Sequence, residues 1–208
     1  MRALRGFGPI GILAIIVILA GGVIGPLPAA LLILLWVRLS GTPWRKIGYV
    51  RPAPASLAIA VVLGIAFKLA MKSVVMPLLG ADPVNHAYHY LAGNRAAIPG
   101  MLFAIVIGAG FGEETLYRGW MFERLGKLRV PRPAIVIISA ALFGLAHYAV
   151  QGVSGTEQAA IVGLVFGTIF LKSGSLVPLM CAHVAFDLTA YALIYRGLET
   201  KVAHLFGL

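Results

Sequence analysis

Charge is what this sequence has least of. Charged residues make up 12% of the 208-residue chain, and only seven of its side chains are acidic. Ordinary soluble domains carry roughly a quarter charged residues, so the polar surface that water requires is missing. Cys181 is the single cysteine; an intrachain disulfide is excluded, and cysteine usage gives no compartment. No internal repeat and no low-complexity tail interrupts the chain. Without matching halves of broken helices, the pattern of many secondary transporters is absent as well.

What fills the sequence is apolar. Hydrophobic residues make up 60% of it, with a mean hydropathy of +0.95, in long runs along its whole length, which makes a bilayer the solvent. At roughly 20 apolar residues per span, the chain reads as an all-α, polytopic transmembrane bundle of about seven spans. They cover about Phe7 to Gly25, Pro26 to Leu39, Ser56 to Leu79, Ala97 to Leu125, Pro133 to Val150, Ala159 to Leu171 and Leu176 to Tyr195. The first two are separated only by a Gly-Pro-x-Pro break and predict a tight hairpin. The length suits one compact bundle, divisible into residues 1–55 (hairpin and basic loop), 56–96 (third span and polar loop), 97–195 and a short tail, 196–208.

The net charge of +10 raises the question of nucleic acid, and its distribution answers it. Lys and Arg gather in short segments between apolar runs, with no basic face or RNA-binding signature, so the expected partner is the lipid bilayer and not nucleic acid. With the N-terminus inside, the inner segments hold Arg2 and Arg5, Arg38 to Arg51, Arg118 to Arg132, and Lys172; the outer ones hold Arg95, Arg196 and Lys201. That asymmetry predicts N-in, C-out in a cell membrane. Trp36 and Trp44 fall at an inner boundary, where amphipathic rings settle. A cleaved signal peptide is the competing account of residues 1–30.

Glu113, Glu114, Arg118 and Asp187 fall inside otherwise apolar runs. Each costs about 2.5–3.5 kcal/mol at a helix centre on insertion scales, so the group opposes insertion by roughly 10 kcal/mol unless paired or hydrated. Glu114 and Arg118 are spaced i, i+4 and can pair on one face, while Glu113 is turned about 100° away and can point into a cavity. His183 and Asp187 repeat the i, i+4 spacing, and His147 lies on a third span, one turn after Phe143. Buried ion pairs that lock the bundle are the plain reading of any one of these; the full set is harder to read as structural. By rise per residue, His183 lies roughly 10 Å into its span and His147 roughly 15–20 Å, so the two meet only if the fifth span is tilted or begins inside the cytoplasm.

In order, Glu113, Glu114 and Arg118 form EExxxR, Phe143 and His147 form FxxxH, and His183 and Asp187 form HxxxD. These resemble the three motifs of the CAAX-protease and bacteriocin-processing family, which includes Rce1-type prenyl endopeptidases and lysostaphin-resistance-protein-A-like proteins. The resemblance covers about residues 97–195, and Asp187 stands where many relatives carry Asn. It implies an intramembrane endopeptidase acting on membrane-associated proteins or peptides, its site opening to the cytoplasmic side. By resemblance Glu113 is the base, His147 helps hold the water, His183 and Asp187 face the oxyanion, and Glu114 with Arg118 orients the base or the substrate backbone. The residue chemistry alone leaves open which glutamate is the base. A zinc ion on Glu113, His147 and His183 matches a catalytic ligand count but lacks HExxH; the alternative is no cofactor. A proton-coupled transporter, or a silent immunity or scaffold protein of the same fold, are the competing functions.

Other polar groups receive plainer readings. Lys68 and Lys72 could line a substrate path, but snorkelling or contact with a neighbouring helix is the plainer reading. His86 and His89 belong to a solvated loop, and Cys181 is a small packing residue. Gly108, Gly110 and Gly112 let a helix or substrate approach closely, and Gly163 with Gly167 marks helix packing.

Overall fold

The computed structural model describes residues 2–207. Met1 and Leu208, the ends of the first and last sequence segments, lie outside the described residues, as does the side chain of Arg2. Every regular element among the described residues is helical. Helix α1 (Pro9–Ile24) and helix α2 (Pro26–Ser40) form the expected hairpin around Gly25, each with proline in its first turn, where the missing N–H costs nothing. Helix α3 (Pro54–Leu78) and helix α4 (Arg95–Lys127) follow, then the helical stretch Arg132–Ser173 and helix α7 (Leu176–Tyr195). These last four are long and apolar enough to cross a membrane; α1 and α2 are apolar but shorter. Many of the large apolar side chains of all these helices face outward, including Leu13, Leu63 and Leu145, as a lipid solvent requires.

The 42-residue stretch Arg132–Ser173 corrects the expected boundary between the fifth and sixth spans. Its backbone breaks only at Gly152, with φ 63° and ψ −156°, a conformation that side chains with a Cβ avoid. Residues 132–151 (α5) and 153–173 (α6) fold back on each other there. A Cβ on Gly163 would come within 2.8 Å of the Ala140 Cα, and one on Gly144 within 3.0 Å of the Ala160 Cβ. Small residues thus let the arms touch backbone to backbone, the packing that Gly163 and Gly167 predict. The polar run from Gln151 to Gln158, which reads as a loop between spans, is helical instead.

Helix α4 carries a second irregularity. From Ala104 to Trp120 its backbone is a π-helix, with i→i+5 bonds that are rare and frequent at functional sites when they occur. The Ser139 hydroxyl of α5 donates to the Tyr117 carbonyl at 2.8 Å, fixing α5 against this segment. Gly112 and Gly110 are the other close approaches: a Cβ on Gly112 would meet the Pro26 backbone of α2 at 2.8 Å, and Gly110 abuts Val184 of α7.

The bundle has two distinct ends. At one, Leu176 N–H donates to the Gly48 carbonyl at 2.8 Å and Arg124 donates to the Arg5 carbonyl at 3.2 Å. That end holds Arg5, Arg38, Arg45, Lys46, Arg51, Arg124, Lys127, Arg129, Arg132 and Lys172, against the single acid Glu123. At the other, Gly93 N–H donates to the Tyr195 carbonyl and Gln151 reaches the Tyr88 hydroxyl at 3.5 Å. There Lys72, Arg95, Arg196 and Lys201 face three acids, Asp82, Glu157 and Glu199. Trp36, expected at an inner boundary, lies at the basic end and packs against protein. It is 5% exposed, its indole N–H donates to the Leu4 carbonyl at 2.9 Å, and Arg124 lies 4.4 Å over its ring. Trp44 is 45% exposed.

Candidate active site

The three sequence motifs meet in the middle of the bundle. Glu114 and Arg118 are fully buried and joined at 2.8 Å from Nη1 to Oε1. The same Glu114 oxygen accepts a hydrogen bond from His183 Nδ1 at 2.7 Å. The Arg118 guanidinium lies 4.3 Å over the Phe143 ring and 5.9 Å from that of Phe166, so aromatic faces supply the rest of its electrostatic partnership. Phe143 and Phe166 also pack edge-on against His183, with ring centroids 6.0 and 5.6 Å away. The imidazole is therefore held on its Nδ1 side and gripped on its faces, leaving Nε2 as its free edge.

That free edge points toward two more carboxylates. His183 Nε2 is 3.8 Å from Glu113 Oε2 and 3.6 Å from Asp187 Oδ2. Both side chains are partly open, 19% for Glu113 and 30% for Asp187. His147 is turned by a hydrogen bond from Nδ1 to the Phe143 carbonyl at 2.8 Å, which leaves its Nε2 as an acceptor in the neutral ring. Glu113, His147, His183 and Asp187 all line one cavity of about 470 Å³. The two adjacent glutamates are thus separated in role: Glu114 is consumed by Arg118 and His183, and Glu113 is presented to the cavity. Glu114 and Arg118, expected to orient the base or the substrate backbone, hold each other and His183.

The depth mismatch between His147 and His183 is resolved by where the helices begin. Helix α7 starts level with Gly119, whose Cβ would touch Leu176 at 3.4 Å, whereas Ser139 of α5 is level with Tyr117. Residues 132–138 therefore run beyond the start of α7, alongside Met121–Lys127, and bring His147 up to the glutamates.

The cavity wall extends from Phe143 and His183 to Gly25, Pro26, Asn85, Tyr88 and Gln151. Asn85, Tyr88 and Gln151 belong to the end opposite the basic segments, whereas Gly25 and Pro26 form the hairpin turn that abuts Gly112 in the middle of α4; His147 lies four residues from the end of α5. Burial, with the charges of Asp187 and Glu113 nearby, pushes the Tyr88 phenol above its ordinary value, so it is a neutral donor at the rim. Sequence reasoning missed the rim residues Tyr88 and Gln151, whose only signal is polarity in segments read as loops. It also set aside Lys68, which is 7% exposed and lines the cavity. Cys181 packs at the edge of the main core cluster.

Among the described residues no three metal-binding side chains converge as a ligand set for zinc; the Nδ1 atoms of His183 and His147 are engaged by Glu114 and the Phe143 carbonyl, which leaves the Nε2 atom of each as its free ring nitrogen. His86 pairs with Asp82 at 3.0 Å on the exposed loop. What the cavity offers chemically is a partly desolvated carboxylate beside two oriented imidazoles, a set able to take a proton from water and to meet a developing negative charge.

No curated protein and no solved structure matches this chain. Residues 95–189 match the family model described as Type II CAAX prenyl endopeptidase Rce1-like, a stretch that contains all three motifs and every residue of the cluster around His183. Over those residues, a little under half of its length, this membrane protein is similar to the Rce1-like family.

Proposed function

We propose that this chain is an intramembrane endopeptidase of the plasma membrane that hydrolyses peptide bonds of membrane-associated proteins or peptides. The observation that carries the reading is the division of labour at His183, with Glu114 and Arg118 fixing its Nδ1 side while Glu113 is left facing the cavity. In this reading Glu113 takes a proton from a water whose other hydrogen-bond partner is His147. The water oxygen bonds to the scissile carbonyl carbon, and the carbonyl electron pair moves onto oxygen. His183, protonated at Nε2, donates to that oxyanion, with Asp187 steadying the same edge. Glu113 then returns its proton to the amine nitrogen as the C–N bond breaks. No step requires a metal.

The test is to compare membrane peptides from cells with and without the protein, in water enriched in ¹⁸O. The expected result is a set of new C-termini, each carrying one ¹⁸O from the attacking water. A proton-coupled transporter or a silent scaffold makes none, and their absence would sink the peptidase reading.

Read as seven passes, with the arms on either side of Gly152 counted separately, the chain has a charge contrast between its two ends that supports an N-in, C-out orientation. The basic end is cytoplasmic, so the cavity opens on the other face of the membrane and its substrates arrive there. In a background without Cys181, His86→Cys is expected to react with a membrane-impermeant maleimide on intact cells, and Arg45→Cys only after lysis; both positions are exposed. The reverse labelling pattern would overturn the orientation without touching the chemistry.

A further inference from the structure

Lys68 is a cation that the reaction just described does not use. It sits on α3, 7% exposed, with its Nζ donating to Gln158 Oε1 of α6 at 2.9 Å and lying 4.9 Å over the Phe186 ring. An ammonium carries three donors, and a neutral amide oxygen and a ring face do not balance its charge. Among the described residues no carboxylate stands within ion-pair distance of it. Lys72, one turn further along, differs: it has Glu199 at 3.6 Å and the Pro83 carbonyl. A lysine buried in a membrane-spanning helix without a counter-charge is costly.

The cost has a use in the place where Lys68 sits. It lines the cavity that holds Glu113, His147, His183 and Asp187, and also an adjoining cavity of about 420 Å³. Asn85, Gln151 and Gln158 border both spaces. The two form a polar path past Lys68 through an otherwise apolar bundle. Phe186, under the ammonium, is the chain neighbour of Asp187. A peptide lying along this path with one of its own carboxylates on Lys68 would have its backbone across the His183 edge.

Resting on the peptidase reading, we infer that Lys68 is a positioning residue that binds a carboxylate of the substrate peptide and so sets which peptide bond reaches Glu113. The carboxylate is either the chain terminus or an Asp or Glu side chain, since the second cavity leaves room for a chain to continue beyond Lys68. Gln158 holds the ammonium in place and supplies no charge. A charge-assisted bond in a site of this kind is worth a discrimination of about tenfold or more.

The experiment uses the full-length Glu113→Gln protein in nanodiscs, which binds without cleaving. The probes are three N-palmitoylated hexapeptides alike except at the end: a free C-terminal acid, its C-terminal amide, and the amide with glutamate as last residue. Binding is read by fluorescence anisotropy. The free acid, the glutamate peptide or both should bind about tenfold tighter than the plain amide, and which of the two does so identifies the source of the carboxylate. Adding Lys68→Met should erase that preference, and Lys68→Arg should keep part of it. A lysine that only ties α3 to α6 would weaken all three peptides equally in Lys68→Met. Equal affinity for all three, binding of none, or a preference that survives Lys68→Met would each overturn the proposal. Because no bond breaks in this assay, its failure bears on Lys68 alone; a protein with Glu113 intact that leaves every bound peptide uncut counts against the peptidase reading instead.

Discussion

Glu113→Gln is expected to lower peptide cleavage by about 10³-fold, within the range a general base supplies, while leaving the unfolding midpoint in detergent unchanged. Glutamine keeps the shape of the side chain and removes only its ability to take a proton. Glu113 makes no short hydrogen bond that folding depends on; its nearest charged neighbour is His183 Nε2 at 3.8 Å. The adjacent Glu114→Gln should behave differently. Its Oε1 accepts from both Arg118 and His183, and both residues are sealed from solvent. Replacing that carboxylate leaves Arg118 without a buried counter-charge and loosens the hold on His183, so activity and stability fall together. Purified variants, assayed for cleavage and for thermal unfolding, separate the two outcomes. Should Glu113→Gln retain cleavage while Glu114→Gln loses it without unfolding, the bases have been assigned the wrong way round.

The contrast between these neighbours shows where reading the sequence stops. Composition and long apolar runs revealed a helical membrane protein, because insertion into lipid leaves few other ways to satisfy the backbone. The i, i+4 spacing of Glu114 and Arg118 was enough to pair them, since that contact lies within one helix. The hydrogen bond from His183 to Glu114 was not legible. It joins residues 69 apart and depends on how α4 and α7 are rotated, and the π-helical turns of α4 alter the angular spacing that an α-helix would impose. The polar run Gln151–Gln158 misled for a related reason. Polarity in an apolar chain usually marks a loop, but here Gln151, Ser154 and Gln158 are helical and face the cavities, where intramembrane polar groups find their permitted environment. Lys68 was read as snorkelling or contacting a neighbouring helix ahead of lining a substrate path; the bond to Gln158 shows the helix contact, Lys68 also lines the cavity, and nothing local in the sequence distinguishes the three.

The largest effect on the fold itself is expected from Arg118→Leu. The substitution keeps an apolar side chain against Phe143 and Phe166 but strips Glu114 of its cation at a site with no solvent access. Breaking a buried pair by removing one partner costs about 3–5 kcal/mol, because the remaining charge cannot be solvated. The double variant Glu114→Leu with Arg118→Leu should recover most of that loss, since two apolar residues of similar bulk often replace a buried pair at little cost. Recovery of stability should bring no recovery of function. Without Glu114 the His183 Nδ1 has no acceptor, and the ring is free to turn its Nε2 away from Glu113 and Asp187. Unfolding of the wild type, the single variant and the double variant in mixed micelles, with cleavage assayed on the same samples, gives both readouts. An Arg118→Leu protein as stable as the wild type would mean that the charge on Glu114 is already compensated from the His183 side, and Arg118 would then lose its place in the architecture of the site.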